Sequence, residues 1–456
     1  MDPKEIVKLV ESEKINFIDL KVVDIWGRWR HVTLARTNFS EKTFHEGVGF
    51  DASNLGYANV TNSDMILIPD PETFFIEEYD NEKVLSIICD VYDAQTKLPC
   101  PYDPRTILKS TLKLIDNVAD KVFMGPEYEF HILEDVKYNV STNEISLYVD
   151  SSEGFWNAGK SGEYFIGKKR GYHRIPPFDT LMEIRNKIVE KLLEYGIPVK
   201  YHHHEVGSCQ VEIELNFVDA LKAADYTLLV KHVARNIAHK LGYIVTFMPK
   251  PLYDEAGNGM HVHQFLVKNG KNIFDGNEVY NLSKTALNYI AGLLKHANSV
   301  MAFSNPSTNS YRRLVPGFEA PTNAVFALAN RTAAIRIPAY VKDPAKRRIE
   351  FRTIDATCNP YLAFSAMILA GIDGIKKNLD PTVEGFGPFE GDAYNQTIMP
   401  LAANLEEACK ALLDDNSYLT TFPEELLTHW ANAKIKEARS INSIPHPAEF
   451  EYYFDA

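Results

Sequence analysis

Val199 to Leu215 reads Val-Lys-Tyr-His-His-His-Glu-Val-Gly-Ser-Cys-Gln-Val-Glu-Ile-Glu-Leu. Strand side chains alternate between two faces, so Val211, Ile213 and Leu215 form an apolar set while Gln210, Glu212 and Glu214 form a polar one. Glu205, close behind three histidines, closes a preceding strand. Carboxylates gathered on one face repel one another unless a cation lies between them, and a metal ion is the usual cation. The same rhythm recurs in three other places. Glu127 and Glu129 share one face of Val122 to Leu133, opposite Tyr128 and Phe130; His261 and His263 repeat the spacing; Arg348, Glu350 and Arg352 repeat it again. Any one of these is readable as a strand with a water-facing side. Four together predict a single funnel built from polar-faced strands.

The rest of the chain sets the frame. Its 456 residues allow two or three domains, and 45% apolar content supports substantial cores. A formal charge of −13 argues against general affinity for nucleic-acid phosphates or anionic lipid. Five scattered cysteines, with no Cys-x-x-Cys, fit free thiols in a reducing compartment. The first residues carry acids where a secretory signal needs an apolar run, and no stretch is apolar for long enough to span a membrane. The expectation is a soluble cytoplasmic protein that binds neither nucleic acid nor membrane.

Periodicity predicts a helix from Asp2 to Ser12, a strand from Ile15 to Trp26, its hairpin partner from Trp29 to Leu34, and strands at Asp64 to Ile68 and Val84 to Tyr92. Pro99, Pro101 and Pro104 mark a boundary, with Asp103 as the cap of a helix from Pro104 to Asp116. The chain thus divides into a small, mainly β domain over 1–100 and a larger domain over 101–456. In the larger part, helices are expected at Asp179 to Tyr195, Ala220 to Leu241, Ser283 to Phe303 and Tyr361 to Lys377. Helices alternating with antiparallel strands make the fold class α+β, an antiparallel sheet flanked by helices.

Gly154-Phe-Trp-Asn-Ala-Gly-Lys-Ser161 matches the phosphate-binding P-loop pattern. The pattern should open a helix, yet Pro176 and Pro177 follow closely and Phe155 and Trp156 would crowd a phosphate. An aromatic surface loop is the expectation there.

Six runs carry a resemblance: Gly125-Pro-Glu-Tyr-Glu-Phe130; His203-His-Glu-Val206 with Gln210-Val-Glu212; Gly257-Asn-Gly-Met-His-Val-His263; Asn309-Ser-Tyr-Arg-Arg-Leu-Val-Pro-Gly-Phe-Glu-Ala-Pro321; Asn330-Arg-Thr-Ala-Ala-Ile-Arg-Ile-Pro338; and Arg347-Arg-Ile-Glu-Phe-Arg352. In kind and order they resemble the motifs of type I glutamine synthetases, and the likeness covers nearly the whole chain. It implies a β-grasp amino-terminal domain and ATP-dependent ligation of ammonia to the γ-carboxylate of glutamate through γ-glutamyl phosphate.

The resemblance also implies site residues. Glu129, Glu205 and Glu212 would hold one divalent ion and Glu127, His261 and Glu350 another; a set so rich in oxygen suits Mg²⁺ or Mn²⁺ better than zinc. Arg331, Arg336 and Arg348, with His263 nearby, would meet ATP. Arg313 and Arg352, with Gly257, Glu129 and Glu319, would meet glutamate. Asp51, in the loop Gly49 to Asn54, is readable as a turn-forming aspartate; the resemblance places it with Tyr172, Glu212 and Glu319 around ammonium, with Asp51, Glu319 and Arg336 catalytic. It further implies a two-ring homododecamer with active sites between subunits, tied by the aromatic tail Pro445 to Phe454.

Beside the retained Asp51, Ala52-Ser53-Asn54 stands where the family more often has Gly-Ser-Ser, and three further positions depart from it: Ala256 where an amide is common, Lys200 where an acid is common, and Phe265 where a serine is common. They leave open a γ-glutamyl-amine ligase that takes a larger amine, and beyond that a non-catalytic structural relative. The Gly- and Pro-rich segment Lys377 to Tyr394 reads as an exposed loop. It lacks the Asn-Leu-Tyr-Asp-Leu-Pro string of members switched by adenylylation, so Tyr394 is not expected to be a modification site.

Overall fold

The computed structural model describes residues 1–56, 63–79, 82–160, 164–395 and 399–456. Helix α1 (Pro3–Ser12) starts at a capping box between Asp2 and Glu5 and buries Ile6 and Val10. Strands β1 (Phe17–Val23) and β2 (Trp29–Ala35) form the expected antiparallel hairpin. After a single helical turn, α2 (Thr43–Glu46), come β3 (Val48–Asp51), β4 (Asp64–Pro69), β5 (Phe75–Tyr79) and β6 (Glu82–Asp93). The sheet order is β2-β1-β6-β4-β3 with β5 on β6, and β1 runs parallel to β6.

Asp103 caps α3 (Pro104–Leu114), accepting from the backbone N–H groups of Arg105 and Thr106. Next are β7 (Lys121–Leu133), the hairpin β8 (Asp135–Val140) and β9 (Ile145–Asp150), α4 (Met182–Glu194), β10 (Val199–His204), β11 (Gln210–Leu215) and the short β12 (Val218–Asp219). Helix α5 (Ala220–Lys240) leads to β13 (Ile244–Thr246), β14 (Val262–Lys268) and β15 (Lys271–Asn272). Three helices follow, α6 (Lys284–Lys295), α7 (Ala297–Ser304) and α8 (Thr308–Arg313), before β16 (Asn323–Leu328), β17 (Ala333–Ile337) and β18 (Ile349–Phe351). The chain finishes with α9 (Pro360–Lys376), α10 (Leu405–Asp414), α11 (Glu424–Asn442) and α12 (Pro447–Tyr453).

The second sheet runs β10-β11-β7-β14-β18-β17-β16, which sets the four polar-faced segments side by side. Their apolar faces, including Tyr128, Phe130, Val211, Ile213 and Phe351, are buried in the main core. The polar face is buried as well: every residue of β11 is buried, so the strands are not simply half wet.

The structure departs from the sequence reading at several points. The sheet is not wholly antiparallel, because β16 and β17 run parallel. Ala329, in the short connection between them, adopts φ +54°, and Ala333 lies beside Asn323 at the start of β16. The helix expected over Ser283 to Phe303 breaks at His296, whose ring nitrogens lie 2.9 Å from Asp373 and 2.7 Å from Asp415. Gly154 opens only a short turn, Phe155–Asn157, and a Cβ at Gly154 would sit 2.4 Å from the Trp156 ring, so aromatic packing fills the place a phosphate would need. Ser161, which ends that string, lies outside the described residues. Tyr394 is half-buried, its hydroxyl donating to the Ala320 carbonyl at 3.0 Å, so this end of the loop is less open than its composition suggests.

The two sheets meet at a charged junction. Arg105, 1% exposed, reaches Asp70 and Asp90 on the first-sheet side and Asp225 of α5 at 2.6 to 3.0 Å. Asn359 caps α9 and donates to the carbonyls of Asp24 and Ile25. Gly27 is required there: φ is +81°, and a Cβ would lie 2.7 Å from the Asn359 backbone.

Candidate active site

Strand register builds the site. Reading across β10, β11 and β7, His203 faces Glu212 and Glu212 faces Glu129; one pleat along, Glu214 faces Glu127. Across β14, β18 and β17, His263 faces Glu350 and Glu350 faces Arg336. Glu205 follows the end of β10, and His261 precedes β14 with its carbonyl accepting from the Glu127 N–H. These rows, His263 and Glu214 excepted, floor a cavity of about 870 Å³.

All six expected metal ligands line that cavity, as do Tyr172, Gly257, Arg313, Glu319, Arg331, Arg336 and Arg352. His263 and Arg348 do not. They are buried and meet the site through Glu127, His263 Nε2 lying 2.8 Å from its Oε1 while Arg348 Nε donates to His263 Nδ1. Asp51 stands apart on the first sheet, exposed, its carboxylate accepting from the Ser53 N–H, beside Arg30 and His31.

Among the described residues, three clusters bring potential ligand atoms within 4.8 Å of one another: Glu127, His261 and Glu350; His203, Glu205 and Glu212; and Glu127, Glu214 and His263. The first is the expected set. In the second, His203 stands where Glu129 was expected. Glu129 lies alongside, its carboxylate accepting from the Gly259 N–H at 2.6 Å and its charge acting on both Glu205 and Glu212. Sequence reasoning left His203 and Glu214 out of the ligand set. Glu214 continues the alternation through Glu212, and His203 lies two residues before Glu205, so the signal was present.

The electrostatics divide the carboxylates. Burial, then the charges of Glu129 and Glu212, push Glu205 well above the usual carboxylate range, and burial with Glu127 and Glu129 does the same to Glu212. Burial also works to raise Glu127 and Glu350, but His263 and His261 hold Glu127 well below that range, and Arg352 and His263 hold Glu350 at about 2. One Glu214 oxygen accepts from Lys200 Nζ at 2.7 Å; the other is buried without a partner among the described residues.

The arginines carry unspent donors. Arg336 Nη1 donates to Glu350 at 2.5 Å and Arg352 Nη1 donates to the other oxygen of Glu350, while the Nε groups of both are buried and unpartnered among the described residues. Arg313 is held by the Thr353 and Arg352 carbonyls and lies 3.2 Å from His261 Nε2. Arg331 bridges Glu319, at 3.0 Å, and the Tyr172 hydroxyl, at 3.3 Å. Of the departures, Lys200 and Ala256 line the cavity, whereas Phe265 stacks on Phe123 in the core and is a packing change.

The family models for the glutamine synthetase β-grasp domain and the glutamine synthetase catalytic domain match residues 14–94 and 101–453. Among curated proteins, the glutamine synthetase of Aquifex aeolicus is 42% identical and that of Nostoc sp. 39%, each alignment covering 99% of both chains. Among solved structures, the cryo-electron microscopy structure of Plasmodium falciparum glutamine synthetase superposes with a TM-score of 0.91 over 99% of both chains at 28% identity.

Proposed function

The chain belongs to the glutamine synthetase family and is therefore an ATP-dependent ligase that makes glutamine from glutamate and ammonia, and we propose that it does so in the carboxylate-floored cavity. The observation that carries this reading is the convergence of six glutamates and four arginines on one cavity, a donor set for cations beside a donor set for anions.

The residues fit divalent metal. Clusters made only of carboxylate and imidazole, in which burial and then neighbouring carboxylate charge raise Glu205 and Glu212, need a cation to share. Glu127, His261 and Glu350 would hold one ion, and Glu205 and Glu212 with Glu129 beside them another. Oxygen-rich sites favour Mg²⁺ or Mn²⁺. Bound there, such ions neutralise phosphate charge during phosphoryl transfer.

The chain's own groups do the rest. Arg336 and Arg331, with His263 and Arg348 beneath, orient ATP phosphates; Arg313, Arg352 and Gly257 take the carboxylates of glutamate. A carboxylate accepts no amine until one oxygen becomes a leaving group, so the glutamate γ-carboxylate attacks the γ-phosphate of ATP and releases ADP. Ammonia then displaces phosphate from γ-glutamyl phosphate. Ammonium has no lone pair, and the acids Glu212, Glu319 and Asp51, flanked by Tyr172, bind it and remove its proton. The Glu319 loop shields the acyl phosphate from water.

Asp51 lies outside the cavity of its own chain, which supports a site completed by a neighbouring subunit in the family's two-ring dodecamer. The exposed aromatic face of Phe450, Tyr452, Tyr453 and Phe454 on α12 is suited to tie the rings. The division at residue 100 accords with the spans of the two family models. No helix among the described residues is long and apolar enough to cross a membrane, and the five cysteines are free; we assign the protein to the cytoplasm.

The test is a product panel with ATP, glutamate and ammonium, hydroxylamine or a polyamine. Glutamine from ammonium is expected to dominate, and preferred turnover of the polyamine would overturn the assignment of ammonia as nucleophile.

A further inference from the structure

A second cavity, of about 900 Å³, lies where the β1–β2 turn meets α5 and α11, and it shares no lining residue with the catalytic one. Its lining carries Arg28, Lys231, His232, Arg235 and Lys434 against a single carboxylate, Glu437. Two of these cations are already paired: Lys434 with Glu437 at 2.8 Å, and His232 with Glu77. Arg28, Lys231 and Arg235 have no carboxylate within ion-pair distance among the described residues. Lys231 is buried and donates only to the Ala356 carbonyl, at 2.7 Å. Burial, with the positive charges of Arg235 and Arg28, pulls its ammonium down to about 8, as expected where like charges crowd.

In a chain of net charge −13, three cations on one cavity with no carboxylate partner among the described residues need an explanation. A further donor stands beside them: the indole N–H of Trp29, which also lines the cavity, is buried without a hydrogen-bond partner among the described residues. The aromatic faces are already taken. Trp26 stacks on Trp430 at 5.3 Å with Lys434 over its ring, Trp29 stacks on Phe75, and Phe247 packs on Phe130 with the Arg235 guanidinium over its ring. What remains open is donor capacity for anionic oxygen, with no free ring on which a nucleobase could stack.

We infer that this cavity is a second ligand site, for a small oxyanion carrying at least two negative charges, a polycarboxylate or a phosphate, held by Arg28, Lys231 and Arg235. Its walls lead to the catalytic cavity by two short paths. Ser307 begins the segment that carries Arg313, and Ala356 and Thr357 follow Arg352.

The experiment is isothermal titration of the full-length protein, without divalent ions, with citrate and separately with inorganic phosphate. Wild type is compared with the Arg28→Ala/Arg235→Ala double variant, with Arg235→Gln, and with Arg336→Ala in the catalytic cavity. Binding of at least one anion is expected in wild type and Arg336→Ala, weakened tenfold or more in the double variant and less in Arg235→Gln, with basal glutamine synthesis of the double variant retained. Citrate binding alone identifies a polycarboxylate ligand, and phosphate binding alone a phosphate. Absence of binding by either, equal binding in the double variant, or loss only in Arg336→Ala overturns the inference, and none of these results bears on the catalytic assignment.

Discussion

Glu212 faces Glu129 directly across the β11–β7 ladder, and Glu205 lies close enough to feel both charges. Strand register fixes the backbones that carry Glu212 and Glu129, and a cation held among the three carboxylates would favour their charged forms.

Glu129→Gln removes one of these charges at nearly constant shape. Activity at ordinary Mg²⁺ is expected to fall by on the order of 10²-fold, the scale for losing one preorganised electrostatic group. The metal-free protein should instead become more thermostable, because a like charge is gone. In wild type, chelation by EDTA should lower the thermal midpoint, since an ion bound only to the native state stabilises it; in the variant that drop should shrink. Undiminished activity would rule out the metal assignment.

Asp51→Asn and Glu212→Gln should each be nearly inactive alone. Co-assembled in equal amounts, they are expected to regain activity at roughly a quarter of the sites, as random neighbours in a closed ring dictate. A site made within one chain would give no recovery, because every subunit would carry a lesion. Assay of co-expressed subunits against each parent decides between the two.

Arg105→Met should destabilise the junction between the sheets. It would leave Asp70, Asp90 and Asp225 without their shared cation, and removing one partner of a buried ion cluster costs about 3–5 kcal/mol. Denaturant titration reads the loss directly; a change under about 1 kcal/mol, the size of a surface pair, would contradict it.

Asp103 supplies a pH signature. Burial, reinforced by the charge of Asp90, raises its carboxyl to about 6. A folded value above the unfolded one of about 3.9 means the native state holds the proton more tightly, so the group's favourable contribution is complete below about pH 4 and is lost as pH rises to 6. Asp103→Asn keeps a cap acceptor and does not titrate. Its stability relative to wild type should climb by roughly 1.4 kcal/mol per pH unit between 4 and 6 and then level off. A difference that is flat across this range would show that the carboxyl is not perturbed.

Which residues share a face was legible from the sequence, since strand alternation is a local property of the backbone: Glu127 with Glu129, Glu212 with Glu214, His261 with His263. The helices over Ala220 to Leu241 and Tyr361 to Lys377 were legible for the same reason, from local periodicity and caps. Which faces meet was not, because neighbours are chosen by hydrogen bonds between segments far apart in the chain. Only the ladder β10-β11-β7-β14-β18-β17 shows that His203 meets Glu205 and Glu212, that Glu214 joins Glu127 and His263, and that Arg336 and Arg352 divide Glu350 between them. The break at His296 needed Asp373 and Asp415, which lie 77 and 119 residues further on. The second cavity likewise joins Arg28 in a turn to Lys231 and Arg235 on a helix, with no spacing rule between them. Local geometry decided what each segment presents, and long-range packing decided what it is presented to.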